Sequence, residues 1–173
     1  IMAEPAFVIA EAGVNHNGSL ELALQLVDVA ADAGADAVKF QTFKAEHLVT
    51  AGAVRAEYQV ANLREQGTQL EMLRRLELSA ADHQAVATHC GRRQVRFMST
   101  AFDAASLAFL AGFGMPAIKI PSGDVTCAPL LLQAFRLRTP LIVSTGMCTL
   151  DDVKASLGVI AFGLTRAGEP AGR

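Results

Sequence analysis

Two lysines stand inside otherwise apolar, strand-forming runs, Lys39 in AVKFQ and Lys119 in AIKIP. An unpaired ammonium buried in such a run is costly, so each calls for an anion beside it. Other polar groups follow the same placement. Glu11 ends one apolar run, Gln41 follows Lys39, Ser99 and Thr100 end a third run, Ser122 and Asp124 follow Lys119, and Ser144 and Thr145 end the last. In parallel α/β folds ligands bind at the C-terminal edge of the strands, so these five sets are expected to converge on one mouth. Contact with solvent would explain the hydroxyls but not the two lysines.

Three of the runs lead into turns that contain glycine: Glu11-Ala12-Gly13, Ser122-Gly123-Asp124 and Ser144-Thr145-Gly146. Backbone N–H groups exposed by glycine, the neighbouring hydroxyls and Lys119 can together hold a phosphate. The set points to a small phosphorylated or carboxylated substrate. Glu11 and Asp124 can orient a sugar hydroxyl, hold a metal-bound water or move a proton, or they can simply neutralise Lys39 and Lys119; the spacing does not choose between these roles. Asn15, His16 and Asn17 can contact substrate or form an ordinary turn before Ser19. His47, His83 and His89 lack metal-ligand spacing. His83 and His89 are expected on a solvated helix face, and no chemistry is assigned to them.

The elements that must carry these residues alternate. Strands are expected at Phe7 to Ala10, Ala37 to Phe40, Val95 to Met98, Ala117 to Ile120 and Leu141 to Val143. Between them lie helical patterns. The clearest runs from Ser19 to Ala33, with Leu20, Ala23, Leu24, Val27 and Ala30 on one side and Gly34 as its stop. A shorter helix is expected through Leu70 to Leu76. Ser79 with Asp82 reads as a capping box opening a helix to about Cys90, and Asp103, Thr126 and Thr149 as caps of the three helices that follow. Five βα units with right-handed crossovers give an α/β fold with a parallel sheet, either open or part of a (β/α)8 barrel. The long polar connection from Thr42 to Thr68 suits a substrate-covering loop. The tail TRAGEPAGR carries no apolar pattern, and fraying is expected there.

With 173 residues, 51% of them hydrophobic, the chain can bury one domain-sized core. A net charge of -2 gives no global attraction to nucleic acid or to an anionic membrane. No apolar run approaches the ~20 residues of a membrane span, and the N-terminus has no signal-like pattern, so a cytoplasmic protein is expected. Cys90, Cys127 and Cys148 are too dispersed for a disulfide framework or a zinc site.

The ordered motifs EAGVNHNG, VKFQTFKAEHLVT, LEMLRRLELSAADH, FMSTAFD, IKIPSGD and LIVSTGM resemble those of the sialic acid synthase family, from about Phe7 to Val153. That family comprises N-acetylneuraminate synthases and their legionaminate and pseudaminate relatives. The resemblance implies a (β/α)8 TIM barrel followed by a small antifreeze-like domain. It also implies condensation of phosphoenolpyruvate with an N-acetylated hexosamine, such as N-acetylmannosamine, with a divalent metal, Mn2+ or Mg2+. By motif, Thr100, Lys119, Ser122 and Ser144 resemble the phosphoenolpyruvate-binding set, while Glu11, Lys39 and Gln41 resemble the residues around the reacting carbons and the sugar. Asn62, after Tyr58 and Gln59, is expected to reach the sugar. Asp124 stands where many members carry glutamate, and Ala101 replaces a common proline. The implied reaction is attack by C3 of phosphoenolpyruvate on the open-chain sugar aldehyde, polarised by the metal, then addition of water at C2 and loss of phosphate by C–O cleavage.

A barrel of this kind needs ~250 residues, so residues 1–173 are expected to be its N-terminal portion, with about five of eight βα units and no antifreeze-like domain. The family's metal-ligating histidines and its homodimer-forming domain would then lie outside this chain, and its last residues suit a truncated or frameshifted end. Two other readings stay open: a catalytically incomplete half-barrel that binds a phosphorylated ligand or a partner, and a Schiff-base aldolase using Lys39 or Lys119.

Overall fold

The computed structural model describes residues 6–49 and 68–166. Five strands, β1 (Ile9–Gly13), β2 (Ala37–Thr42), β3 (Arg96–Ala101), β4 (Ile118–Ile120) and β5 (Leu141–Val143), are hydrogen-bonded in chain order, and the registered pairs are parallel. The chain divides into two compact units, Ile1–Phe97 and Met98–Arg173.

In the first unit, β1 and β2 pair in register with Ile9 beside Ala37 and Glu11 beside Lys39, and the register shifts between Glu11 and Gly13. Helix α1 (Leu20–Asp32) starts where the Ser19 hydroxyl accepts the Leu22 N–H. Its spacing puts Ala23, Val27 and Ala30 on one buried face. Beyond β2 come the short α2 (Ala45–Leu48), then α3 (Gln69–Leu76) and α4 (Ala80–Arg92). Both α3 and α4 open with complete capping boxes, Thr68 with Glu71 and Ser79 with Asp82. On the surface, Asp28 and Asp32 of α1 meet His89 and Arg93 at the end of α4. Phe40 stacks on Phe97 at 6.1 Å, and with Val86 and Cys90 they form much of this unit's core.

In the second unit, β3, β4 and β5 lie side by side, with Thr100 beside Lys119 and Lys119 beside Ile142. Helix α5 (Ala104–Leu110) starts where Asp103 accepts the N–H groups of Ala105 and Ser106. A 3-10 turn, Ala111–Phe113, follows. Helix α6 (Ala128–Arg136) buries Leu130, Leu131 and Ala134. Its N-cap is Cys127, without a side-chain hydrogen bond, which corrects the expectation that Thr126 caps it; Pro at the helix start supplies a preset backbone instead. Helix α7 (Leu150–Arg166) starts at Thr149, which exchanges hydrogen bonds with Asp152. Leu150, Leu157, Phe162 and Leu164 of α7 remain exposed. Among the described residues no helix is long and apolar enough to cross a membrane.

Candidate active site

In the first unit, the parallel register sets Glu11 beside Lys39 on the same face of the sheet, and Lys39 Nζ lies 2.6 Å from Glu11 Oε2. The lysine side chain is 11% exposed, whereas that of glutamate is 52% exposed. The ammonium is therefore fixed in the sheet while its carboxylate partner reaches outward. Gln41, two residues along, points to the same face. Gly13 has φ +57°, a backbone that favours glycine, and a Cβ there would sit at ordinary contact distance from both groups, 3.4 Å from Glu11 Oε1 and 3.8 Å from Gln41 Nε2, so the turn lies close against them. Glu11, Lys39 and Gln41 thus form one cluster, and of the roles left open for Glu11 the ion pair with Lys39 is present.

The opposite face of β2 carries a joint that the sequence did not suggest. Thr42 Oγ1 lies 2.8 Å from His83 Nε2, and His83 Nδ1 lies 2.9 Å from the Ser79 carbonyl oxygen. A carbonyl can only accept, so Nδ1 carries the proton and Nε2 accepts from the Thr42 hydroxyl in the neutral ring. His83 is buried rather than solvated, which corrects the earlier placement. The signal was available: His83, Val86 and Cys90 share one helical stripe, and all three are buried. Burial lowers the His83 pKa from 6.5. Just before α4, the Glu77 carboxylate also accepts from Lys44 Nζ at 2.9 Å and from the Ala45 N–H at 2.7 Å.

His16, in the loop after β1, is fully buried, and its Nδ1 accepts the Gly18 N–H at 3.0 Å. Its Nε2 therefore carries the proton, and among the described residues that atom has no hydrogen-bond partner. Burial, with the nearby His83 next in weight, lowers its pKa. The imidazole is neutral and faces Phe40 at 6.1 Å between ring centres.

In the second unit, Thr100 and Lys119 are register partners, and the Ser144 N–H donates to the Ile120 carbonyl at 3.1 Å, extending the ladder past β5. Ser122 lies in the turn closed by the Asp124 N–H to the Pro121 carbonyl, 3.1 Å. The Cys148 thiol, 3.4 Å from the Ser122 carbonyl oxygen, ties that turn to the loop after β5. Thr100, Lys119, Ser122 and Ser144 are therefore carried by three adjacent strands and their ends. Lys119 Nζ donates to the Ile120 carbonyl at 3.2 Å. The Asp124 carboxylate makes no hydrogen bond or ion pair among the described residues, and burial alone raises its pKa from 3.8. Of the roles left open for it, neutralising Lys119 is therefore not seen among the described residues.

Asn62, with Tyr58 and Gln59, lies outside the described residues. Among the described residues no group of three or more His, Cys, Asp or Glu side chains is placed to hold a metal ion, so these residues by themselves do not fit the divalent cation implied by the motifs. The Cys90 thiol is buried and pushed up to about 12, which makes it a poor nucleophile.

Comparison with known proteins adds to this geometry. Residues 26–169 match the NeuB family. The chain is 49% identical over 154 residues to the N,N'-diacetyllegionaminic acid synthase of Legionella pneumophila, covering 89% of this chain and 43% of that protein. It is 36% identical over 153 residues to the N-acetylneuraminate-9-phosphate synthase of Drosophila melanogaster, covering 88% and 41% respectively. Among solved structures, the N-acetylneuraminic acid synthetase of Leptospira borgpetersenii superposes with a TM-score of 0.78 at 28% identity, over 93% of this chain and 52% of that one. A 3-deoxy-D-arabino-heptulosonate 7-phosphate synthase of Thermotoga maritima, 13% identical with a TM-score of 0.61, shares the fold. The chain spans under half the length of these two curated relatives.

Proposed function

Since the chain belongs to the NeuB family, we propose that it supplies the phosphoenolpyruvate-binding and part of the amino-sugar-binding machinery of a nonulosonic acid synthase. The enzyme would join phosphoenolpyruvate to an N-acetylated hexosamine of the N-acetylmannosamine type and release phosphate. The observation that carries this reading is the placement of Lys119 beside Thr100, with Ser122 just past the end of its own strand and Ser144 past the end of the next. One ammonium and three hydroxyls in one unit form a donor-rich set suited to the phosphate and carboxylate of phosphoenolpyruvate. Residues 1–173 would then be the N-terminal portion of a (β/α)8 barrel, in a cytoplasmic enzyme that acts as a homodimer.

The step assigned to the chain runs as follows. C3 of phosphoenolpyruvate forms a bond to the sugar aldehyde carbon, and the aldehyde oxygen takes up a proton. Water adds at C2, losing the proton that the aldehyde oxygen has taken up, and the C2–O bond to phosphate then breaks as the C2 hydroxyl passes its proton to the departing phosphate, leaving a 2-keto acid and inorganic phosphate. Lys119 and the hydroxyls hold the phosphate, which lowers the cost of the charge it carries away. Lys39, held by Glu11, and Gln41 orient the reacting groups, which removes part of the entropic cost of bringing two substrates together. Asp124, whose raised pKa moves it toward the working range of a general acid or base, takes or gives a proton at the C2 water, and Asn62 contacts the sugar. The divalent cation, Mn2+ or Mg2+, is assigned to ligands other than the described residues.

Calorimetric titration of phosphoenolpyruvate into the full-length product of the gene tests this reading. One site per chain is expected, weakened about tenfold or more in Lys119→Met, the loss of one charge-assisted hydrogen bond. An absence of binding, or binding that Lys119→Met leaves unchanged, would overturn it.

A further inference from the structure

The residues that bear the proposed chemistry on β2, Lys39 and Gln41, lie on one face of that strand, and the other face carries a built hydrogen-bonded connection to α4. Thr42 Oγ1 donates to His83 Nε2 at 2.8 Å, and His83 Nδ1 donates to the Ser79 carbonyl at 2.9 Å. Both His83 and Thr42 are buried, at 3% and 6% exposure. The connection is reinforced on either side. Ser79 is locked by Asp82, which accepts from its N–H at 3.0 Å and its hydroxyl at 2.7 Å. Glu77 grips Lys44 and the Ala45 N–H immediately past the strand. The loop after β1 is drawn in as well, because Gly18 packs directly under the Arg75 carbonyl.

We propose that His83 is a positioning residue of the synthase, which fixes the C-terminal end of β2 through Thr42 and so sets Lys39 and Gln41 for the reaction. A strand end is free to shift by fractions of an ångström unless something holds it, and misplacement of about 1 Å at a reacting group costs as much as ~100-fold in rate. A histidine is suited to the task because it spans two fixed partners with one donor and one acceptor, and the Ser79 carbonyl dictates which nitrogen does which. The charged and titratable groups that act on it are Asp82 and Lys44, and protonation of its ring would work against protonation of the buried His16.

The kinetic side of this proposal rests on the synthase reading, so its test has two readouts. In the full-length product of the gene, Thr42→Val keeps the shape of the side chain and removes only the hydroxyl. His83→Asn retains a donor for Ser79 but cannot reach Thr42, and His83→Gln can still reach Thr42. Thr42→Val and His83→Asn are each expected to lower kcat about tenfold, with the double variant no worse than either alone, and His83→Gln to recover part of the loss. A structural role alone would shift the melting temperature and leave kcat, measured well below it, within twofold of wild type; that result would overturn the proposal. The second readout needs no activity: amide hydrogen exchange at Phe40, Gln41 and Thr42 is expected to speed up about tenfold in Thr42→Val. Unchanged exchange there would overturn the clamp itself. A wild type that releases no phosphate while Thr42→Val still loosens β2 would sink the synthase reading and leave the clamp standing.

Discussion

Lys39 and Glu11 are register partners on adjacent parallel strands, and their ion pair, 2.6 Å long, joins a nearly buried ammonium to a half-exposed carboxylate. Such an arrangement holds the cation in place and leaves its partner able to yield to an incoming anion. Removing the carboxylate alone takes away the counter-charge that lies 2.6 Å from the ammonium. Glu11→Gln is expected to destabilise the fold by about 1–3 kcal/mol, measured by urea unfolding. Adding Lys39→Met to that variant should return part of the loss, because an apolar residue needs no counter-charge. Additive losses would show that the pair is not coupled.

Two glycines with left-handed backbones separate conformational strain from collision. Gly18 has φ +77°, and a Cβ there would sit 2.1 Å from the Arg75 carbonyl oxygen, so the backbone would have to move. Gly34 has the same φ of +77° with open space around it. Gly34→Ala is expected to cost about 1–2 kcal/mol, and Gly18→Ala clearly more, with loss of the packing between the β1 loop and the end of α3. Equal melting temperatures for the two variants would contradict the close approach at Gly18.

Acid should loosen the first unit in a definite window. His16 and His83 both have pKa values lowered from 6.5, chiefly by burial. The unfolded chain therefore takes up protons at a higher pH than the folded one. Stability is full above about 6.5 and is lost as pH falls from there through the two lowered values. The lowered carboxyl groups contribute at lower pH, Glu46 from its ordinary 4.5 downward and Asp28, Asp82 and Asp152 from 3.8. Urea midpoints between pH 7 and pH 5 should fall for the wild type and fall less for His16→Gln, which removes one of the two groups. Parallel curves would contradict the burial of a neutral His16.

Asp124 has the opposite sign. Its pKa is raised by burial, so its contribution is unfavourable once pH rises past 3.8 and through the folded value. Asp124→Asn is expected to be more stable than wild type at pH 7 and indistinguishable from it near pH 3. The same variant should lose about 100-fold or more in turnover if the carboxylate moves a proton. A variant that is both less stable and fully active would remove Asp124 from the mechanism.

Much of the frame was legible because its signals are local. Ser19, Ser79 with Asp82, and Asp103 cap the helices expected of them, and β5 runs from Leu141 to Val143 as its apolar run suggests. Where hydrophobicity and the hydrogen-bond ladder diverge, the ladder decided. Phe7 and Val8 are apolar yet exposed, and β1 instead runs from Ile9 through polar Glu11 to Gly13, because Lys39 and Phe40 lie alongside to pair with it. The lysines inside strands were visible as anomalies, but the pairing of Glu11 with Lys39 stayed one of several open roles until the strand register set the two side by side. The His83 clamp was hidden because its significance depends on Thr42, 41 residues earlier in the chain. A helical stripe shows that a residue is buried but not which strand end it meets.

The most direct test of the central claim is phosphate release from phosphoenolpyruvate by the full-length product of the gene with Mn2+, measured with and without an N-acetylated hexosamine, wild type against Lys119→Met. The account predicts release that requires the sugar, yields a 2-keto acid in equal amount, and falls about 100-fold or more in Lys119→Met. Release that ignores the sugar, or that survives the loss of Lys119, would contradict it.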